Sequence, residues 1–338
     1  MPSFNSSIAI ALAFTLPHAI SGMTDDQLEL TAGLSTFDDG RAPIQQLYRA
    51  YGALLDQGWT MDVIIRSQPP GTTEALPIFA LRTPATGPAI WIISGVHGEE
   101  TAGPNALARS IERIAETGER QPVVLIPLAN PQGYTRNWRY LNTPVWSEDV
   151  DGQSVGDSSH LLIDLEKAPQ PRAPSASSPE ADAITRYVLE SMGDYPPIIS
   201  LDLHEDDEID EGYVYSQGAL GANEPLARLA VEALLRSGVP IKMDGQTRFE
   251  EVIQEGIIGP VVDSSIDELM SAEEIATGGS TSNGPAAPVV LVIETPRLSL
   301  PFEVRVAAQA AVLKALLGSE KLQSAARQNR SQESGGEY

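Results

Sequence analysis

The sequence of 338 residues contains no cysteine and only four histidines. The absence of cysteine excludes a disulfide framework and thiolate metal ligands. It does not decide between an oxidising and a reducing compartment. A metal site in this chain would therefore need imidazole and carboxylate ligands, so the few histidines are the first residues to place.

Basic residues are also scarce. Lysine and arginine total 22 against 46 aspartates and glutamates, which gives a formal net charge of −24. A surface of this charge repels nucleic acid and anionic membrane faces. We therefore expect neither a nucleic-acid partner nor a membrane partner. The apolar fraction of 42% is ordinary for a globular protein and is enough to form a core.

The first 22 residues contain the short apolar run "IAIALAF", but no lysine or arginine occurs before Arg41. A secretory signal needs a positively charged start, and this run is too short to span a bilayer. Two interpretations of residues 1–22 stay open, a cleaved signal and an N-terminal extension. The missing charges favour the extension, and with it a cytoplasmic over a secreted or periplasmic location. His18, in this segment, is expected to be incidental.

Strand-like and helix-like patterns alternate along the rest of the chain. Four short runs rich in Val, Ile and Leu each end in a polar cluster: "PAIWIISGVHGEE", "PVVLIPLANPQG", "PPIISLDLHEDDE" and "PVVLVIETPR". Helical patterns lie between some of them. This alternation predicts one α/β domain over residues 23–318, with a mixed, mostly parallel central sheet flanked by helices. The Pro-rich stretch 166–178 is interpreted as an insertion, and 319–338 as a polar, disordered tail.

The ends of these strands carry the candidate chemistry, because sites in open α/β sheets form at the carboxyl ends of strands. His97 and Glu100 follow the first run, and His204 ends the third. An H-x-x-E spacing on a turn lets both side chains face one ion, although a solvated turn is the alternative for that motif alone. Three protein ligands leave one position of a catalytic zinc open for water. The combination predicts a zinc site on His97, Glu100 and His204.

Two further carboxylates stand near these ligands in the pattern. Glu294 ends the fourth run and is predicted to take a proton from water and pass it to a leaving group. Asp202 lies two residues before His204. It is expected either to accept a hydrogen bond from the ligand imidazole or to have no part in the site.

These motifs, in this order, resemble the zinc carboxypeptidase family and its succinylglutamate desuccinylase/aspartoacylase relatives, over about residues 60–315. The resemblance implies that zinc is bound by the H-x-x-E pair and the later histidine, and that Glu294 is catalytic. The family's N-P-D-G motif appears here as "NPQG", 130–133. An arginine after that motif polarises the scissile carbonyl in the family, which implies this role for Arg139, with Arg136 as the other choice.

The sequence also departs from the family pattern. Family carboxypeptidases bind the substrate's terminal carboxylate with an Asn-Arg pair, and the corresponding stretch 152–162 has no arginine. No tyrosine occurs between Tyr215 and Glu294, where carboxypeptidases carry a mobile one. Carboxylate recognition is therefore expected to be atypical. Three residues are candidates for substrate contact, of which the last could instead be an exposed loop residue: Arg136, Arg297 and His160.

We expect a zinc-dependent hydrolase that cleaves an amide bond. A metallocarboxypeptidase-type peptidase is favoured, with a peptide substrate whose free C-terminus is not strongly preferred over an amidated one. A deacylase of small N-acyl amino acids is the alternative. A zinc-binding protein without catalysis is a third hypothesis, which the presence of Glu294 disfavours. The sequence leaves the oligomeric state open.

Overall fold

The computed structural model describes residues 37–69, 71–140, 157–163, 170–277, 279–320 and 322. The segment 1–22 with His18, residues 152–156 and the tail beyond 322 lie outside the described residues, so the predictions for them stay predictions. Among the described helices, none combines the length and the apolar character needed to cross a membrane.

The helices of the described residues begin and end close to sequence signals. Ser178 caps one of them, because its hydroxyl accepts a hydrogen bond from the Ala181 amide at 3.0 Å, and a proline follows at the first helical position. The α-helices are α1 (Ile44–Gly52), α2 (Ala102–Arg109), α3 (Ile111–Gly118), α4 (Pro131–Arg136), α5 (Pro179–Ser191), α6 (Pro225–Arg236), α7 (Ile266–Ser271) and α8 (Phe302–Leu317).

The strands form one large sheet and one separate hairpin. They are β1 (Thr60–Ser67), β2 (Leu76–Arg82), β3 (Ala89–Ser94), β4 (Val123–Ile126), β5 (Pro197–Asp206), β6 (Tyr213–Ser216), β7 (Asp244–Gln246), β8 (Val252–Gln254), β9 (Ile257–Ile258), β10 (Glu274–Thr277), β11 (Ser280–Asn283) and β12 (Val290–Pro296). The order in the large sheet is β1-β2-β4-β3-β5-β12-β6-β9-β8-β7, and β10 pairs with β11.

The centre of the large sheet is parallel. The neighbours β4, β3, β5 and β12 all run in the same direction, whereas β1, β2 and β6 join this core by antiparallel pairing. This arrangement confirms the predicted mixed sheet with a mostly parallel centre. The four apolar runs of the sequence are the four central strands.

Helices cover both faces of the sheet. Along β3 the side chains alternate, so that Ile90 and Ile92 join one apolar core while Trp91 and Ile93 join the other. The first core includes residues of α1, α2, α6 and α8, and the second includes residues of α5 and α7. Both faces are buried, which explains why β3 and β4 are continuous apolar runs. On β5 the polar residues Ser200, Asp202 and His204 alternate with leucines although the strand is buried.

Some elements differ from the sequence-based expectation. The helical pattern after the first motif is broken at Ser110 into α2 and α3. The glycine- and serine-rich stretch 271–287 contains the hairpin of β10 and β11, which the alternation of strands and helices did not predict. All four residues of β11 are exposed, so this strand has no apolar pattern by which to recognise it.

Candidate metal centre

The turn after β3, residues 95–100, carries the first two predicted ligands. It lies against the N-terminal part of α4, which contains the "NPQG" motif. A Cβ atom at Gly98 would lie 2.2 Å from the carbonyl carbon of Gly133, and the Gly98 amide donates to the Arg139 carbonyl at 3.3 Å. Only glycine permits this approach of two backbones. The contact fixes the position of His97 and Glu100 relative to α4.

Strand pairing supplies the remaining positions. On β5, His204 is in parallel register with Glu294 of β12, and β5 pairs on its other side with β3. Because parallel strands end at the same edge of a sheet, the turn after β3 and the ends of β5 and β12 lie side by side. The sheet order therefore brings together residues that are about 100 positions apart in the chain.

The three predicted ligands converge in the structure. Glu100 lies between the two imidazoles: its Oε1 is 2.7 Å from His97 Nδ1, and its Oε2 is 2.9 Å from His204 Nδ1. The two Nδ1 atoms are 3.2 Å apart. One ligand atom of each residue lies within 4.8 Å of the others. The side chains of Glu100 and His204 are buried, and that of His97 is 13% exposed.

This donor set fits zinc. Two imidazole nitrogens that face each other can share at most one proton, whereas a cation satisfies both nitrogens and the carboxylate at once. A catalytic zinc site has three protein ligands, here two nitrogens and one oxygen, and leaves the fourth coordination position for water or substrate. Burial, together with the nearby charge of Arg139, lowers the pKa of His97 and favours the neutral imidazole that a metal requires.

Glu100 is held in its charged form. Burial opposes ionisation, but the two histidines and Arg139 outweigh it and keep the pKa of Glu100 well below its usual value. The Glu205 amide donates to Glu100 Oε2 at 3.0 Å, and Arg139 Nη1 donates to Oε1 at 2.8 Å. These contacts leave the carboxylate one orientation, toward the two imidazoles.

His204 is oriented from its far side. Its Nε2 lies 3.1 Å from Asp202 Oδ2, and its backbone carbonyl accepts a hydrogen bond from Gln309 at 2.8 Å. Burial lowers the pKa of His204, but Asp202 and Glu100 outweigh this effect and raise it well above the usual value. Asp202 thus faces the nitrogen that points away from the centre, as expected for a carboxylate that orients a ligand histidine.

Glu294 lies beside the three ligands and is not one of the converging groups. Its Oε2 is buried and has no hydrogen-bond partner among the described residues. Burial raises the pKa of Glu294 well above its usual value, and the nearby charge of His204 counteracts this only in part. A carboxyl group of this kind is a candidate for proton transfer.

Two cavities meet at this centre. A small cavity of about 250 Å³ is lined by Glu100, and a large cleft of about 610 Å³ is lined by His97 and His204. Both are lined by the same four residues: Arg139, Tyr215, Phe249 and Glu294. A substrate that crosses from one cavity to the other would pass the candidate metal ligands and Glu294.

Comparison with known proteins agrees with this geometry. Residues 86–150 match the model of the succinylglutamate desuccinylase/aspartoacylase catalytic domain. The chain has a zinc-carboxypeptidase-like fold. The resemblance predicted from the motifs is thereby confirmed. No curated protein sequence matches the chain.

Solved structures with this carboxypeptidase-like fold cover most of the chain. A candidate metallopeptidase of Shewanella amazonensis superposes with a TM-score of 0.61 at 22% identity, over 81% of this chain and 92% of its own. A candidate metallopeptidase of Shewanella baltica gives a TM-score of 0.59 at 22% identity, over 81% and 88%. Carboxypeptidase A of Helicoverpa armigera gives 0.50 at 14% identity, over 86% and 78%.

Arg139 is at the position that the carboxypeptidase-like resemblance implies. Asn130 caps α4 by accepting from the Gly133 amide at 2.7 Å and donates to the Arg139 carbonyl at 3.2 Å. The guanidinium contacts Glu99 at 3.0 Å and Glu100 at 2.8 Å, and it lines both cavities. The structure therefore places Arg139, and not Arg136, beside the centre.

The three candidates for substrate contact line neither cavity. Arg136 pairs with Glu74 at 3.0 Å, and Arg297 pairs with Asp207 at 2.6 Å. His160 is half-buried next to the hairpin, where its carbonyl accepts from the Ala276 amide. Their part in substrate contact stays a prediction.

Several cavity residues were not identified from the sequence. Tyr213 and Tyr215 lie on β6 and donate to Asp206 at 2.6 Å and to Glu251 at 2.9 Å, respectively. Lys242 and Phe249 line the small cavity. The alternation in "GYVYS" was the available signal for β6, but a strand of four residues between loops gives too short a pattern to rely on.

Proposed function

We propose that this chain is a zinc-dependent hydrolase of amide bonds, of the metallocarboxypeptidase type and with atypical carboxylate recognition. The observation that carries the proposal is the convergence of His97, Glu100 and His204 where two cavities meet beside Glu294 and Arg139. Family match and fold support a hydrolase of the carboxypeptidase/deacylase superfamily. The reaction and the substrate are the proposed part.

In this proposal His97 and His204 bind zinc through Nδ1, and Glu100 binds it through its carboxylate. When bound, zinc polarises a substrate carbonyl and lowers the pKa of a water toward neutrality. The chain's own contribution is to hold the three ligands in one orientation, through the contacts of Asp202 and Glu205.

Glu294 transfers the proton in this mechanism. Its carboxylate accepts a proton from the attacking water and delivers it to the leaving nitrogen as the C–N bond breaks. Burial favours the protonated form of Glu294, and a cation beside it shifts the balance back toward the carboxylate that a base requires. The same burial favours the protonated form after this step, so the proton is kept until the more basic leaving nitrogen takes it.

Arg139 stabilises the developing charge on the carbonyl oxygen. A guanidinium carries five N–H donors, and Nη1 of Arg139 is the donor engaged by Glu99 and Glu100. The other donors have no hydrogen bond with the described residues and can donate to a substrate in the cavities that Arg139 lines. Donors fixed in advance toward a developing negative charge are the usual source of electrostatic catalysis.

Deacylation of small N-acyl amino acids is the second candidate function. The observation that favours it is the match of residues 86–150 to the desuccinylase/aspartoacylase catalytic domain. Both reactions break an amide bond with the same groups, so the metal centre does not separate them. What separates them is the size of the acyl part that the large cleft accepts.

The test is a panel of short peptides and N-acyl amino acids, assayed with zinc-loaded protein. Chelator-treated protein and the variant Glu294→Gln are the controls. Hydrolysis of peptides that stops in both controls supports the peptidase. Hydrolysis confined to N-acyl amino acids favours the deacylase. A zinc-loaded protein that cleaves no member of the panel would contradict the proposed function.

A further inference from the structure

Lys242 differs from the other basic residues of the small cavity. The cavity is lined by Arg139, Arg248 and Lys242. Arg139 contacts Glu99 and Glu100, and Arg248 contacts Glu208. The ammonium group of the half-buried Lys242 has no hydrogen bond and no ion pair with the residues that the structure describes. It is therefore a cation on the wall of a cavity, without a partner among the described residues.

The position of Lys242 relative to Glu294 is set by backbone pairing. Ile241 forms a parallel bridge with Gly212, and the Lys242 amide donates to the Gly212 carbonyl at 3.1 Å. The next residue, Tyr213, is in register with Glu294 on β12. Lys242 and Glu294 are thus two strand spacings apart, about 10 Å between their backbones. Both line the small cavity, so one group in this cavity can contact both.

Three acidic side chains that line the small cavity have hydrogen-bond or ion-pair partners in the protein. Glu205 contacts Arg305, Asp206 accepts from Tyr213, and Asp207 pairs with Arg297. The charges of Glu205 and Asp207 are therefore compensated by arginines, whereas Asp206 has a neutral donor. Among the described residues, the ammonium of Lys242 has no counter-charge.

The large cleft differs from the small cavity in the charged residues that line it. Its acidic lining residues are Glu251, Asp263, Asp267 and Glu294, and Arg139 is the single arginine or lysine among its described lining residues. An anionic group of the substrate is repelled there. The small cavity is lined by six acidic residues, but four of them contact an arginine: Glu100, Glu205, Asp207 and Glu208. The acidic residues of the large cleft form no ion pair with an arginine or lysine among the described residues. An anionic group is therefore repelled less in the small cavity, where Lys242 lies.

We infer that Lys242 binds a carboxylate of the substrate in the small cavity, next to the leaving nitrogen. The inference rests on the proposed function. The carboxylate would be the C-terminus of a peptide or the α-carboxylate of an N-acyl amino acid, and both present the same chemistry to Lys242. A single ammonium group is a point charge and not a bidentate fork, so this anchor differs from the Asn-Arg pair that the sequence lacks.

The test measures binding, so that it does not depend on turnover. The probes are reduced-amide analogues of dipeptides and of N-acyl amino acids, in which CH₂–NH replaces the scissile amide. Each analogue is prepared as a free acid and as a C-terminal amide. Calorimetry compares wild type, Lys242→Met and the control Lys314→Met, whose lysine is exposed on α8. Methionine keeps the length and the apolar stem of lysine and removes the charge.

In wild type, at least one free acid should bind about tenfold or more tightly than its amide, in contrast to the weak preference expected from the sequence alone. Lys242→Met should remove this preference by weakening the acid alone, and Lys314→Met should keep it. High salt should reduce the preference, because a half-buried ion pair is screened in part. Whether the preference appears with dipeptide or with N-acyl analogues identifies the source of the carboxylate.

Two results would overturn the inference: no acid preferred over its amide in wild type, or a preference that survives Lys242→Met. Its failure is distinct from a failure of the proposed function. If the protein hydrolyses a substrate but the preference for the free acid persists in Lys242→Met, only the inference is contradicted. A Lys242-dependent binding preference in a protein that hydrolyses nothing contradicts the proposed function alone.

Discussion

Substitution of Gly98 by alanine should damage the metal centre without touching a ligand. A Cβ atom there would lie 2.2 Å from one backbone carbon of Gly133 and 2.3 Å from another. Ordinary contacts between carbon atoms are about 3.5 Å or longer, so one backbone must move by more than about 1 Å. Neither neighbour is the flexible end of a side chain. The movement therefore displaces either the turn with His97 and Glu100 or the start of α4.

The expected magnitudes follow from this displacement. Overpacking a tight contact costs about 1–3 kcal/mol of the free energy of unfolding. A misplacement of about 1 Å in a catalytic arrangement lowers the rate on the order of 100-fold. Gly98→Ala should therefore unfold at lower urea, bind zinc more weakly, and lose most of its hydrolytic activity on any substrate that wild type cleaves.

Three measurements check this prediction. Urea unfolding of chelator-treated protein, followed by the fluorescence of the buried Trp59 and Trp91, isolates the packing cost from the stabilisation that a bound metal adds. Zinc affinity and kcat/KM report the displacement of the ligands. Gly193→Ala is the matched control, because a Cβ at this exposed glycine meets nothing within 4 Å. If the two variants behave alike in all three measurements, the contact with Gly133 has no role in holding the site.

Four further outcomes are expected. Metal analysis of purified protein should find one zinc per chain, and the double variant His97→Ala/His204→Ala should not retain it. Glu294→Gln should keep its zinc and its fold while hydrolysis falls about 10²- to 10⁴-fold; an unchanged rate would assign the base elsewhere. Asp202→Asn should weaken zinc binding about 10- to 100-fold, measured by competition with a chelator. Arg305→Met, which leaves the buried Glu205 without its cation, should lower the free energy of unfolding by about 3 kcal/mol, whereas Arg236→Met, from an exposed pair, should change it by less than about 0.5 kcal/mol.

The parallel centre of the sheet could be predicted because its strands are buried on both faces. Such strands are short continuous apolar runs, and the polar residues that follow them collect at one edge of the sheet. His97, Glu100, His204 and Glu294 were all found in this way, and the structure brings them together. Their assignment as zinc ligands and base remains a prediction that the metal and rate measurements address.

The part of the small cavity that is lined by β6 and the segment after it could not be predicted. β6 to β9 contain between two and four residues each, and β7 is exposed along its whole length, so no periodic pattern marks them. Lys242 reaches the cavity only through the pairing of Ile241 with Gly212, which is a contact between distant segments. Arg136 and Arg297 were singled out as candidates for substrate contact. Both form ion pairs with acidic residues that are 62 and 90 positions away, and a sequence does not display such pairs.

The place of β12 in the sheet has a consequence for synthesis of the chain. β12 is inserted between β5 and β6, although it is made about 90 residues after His204. At roughly 5–20 residues per second, the ribosome needs about 5–20 s to complete this interval. During that time the nascent chain has all three zinc ligands but lacks Glu294, and the edges of β5 and β6 have no strand between them. Unpaired edges of this kind recruit other strands, so a chaperone or early metal loading would matter most in this window.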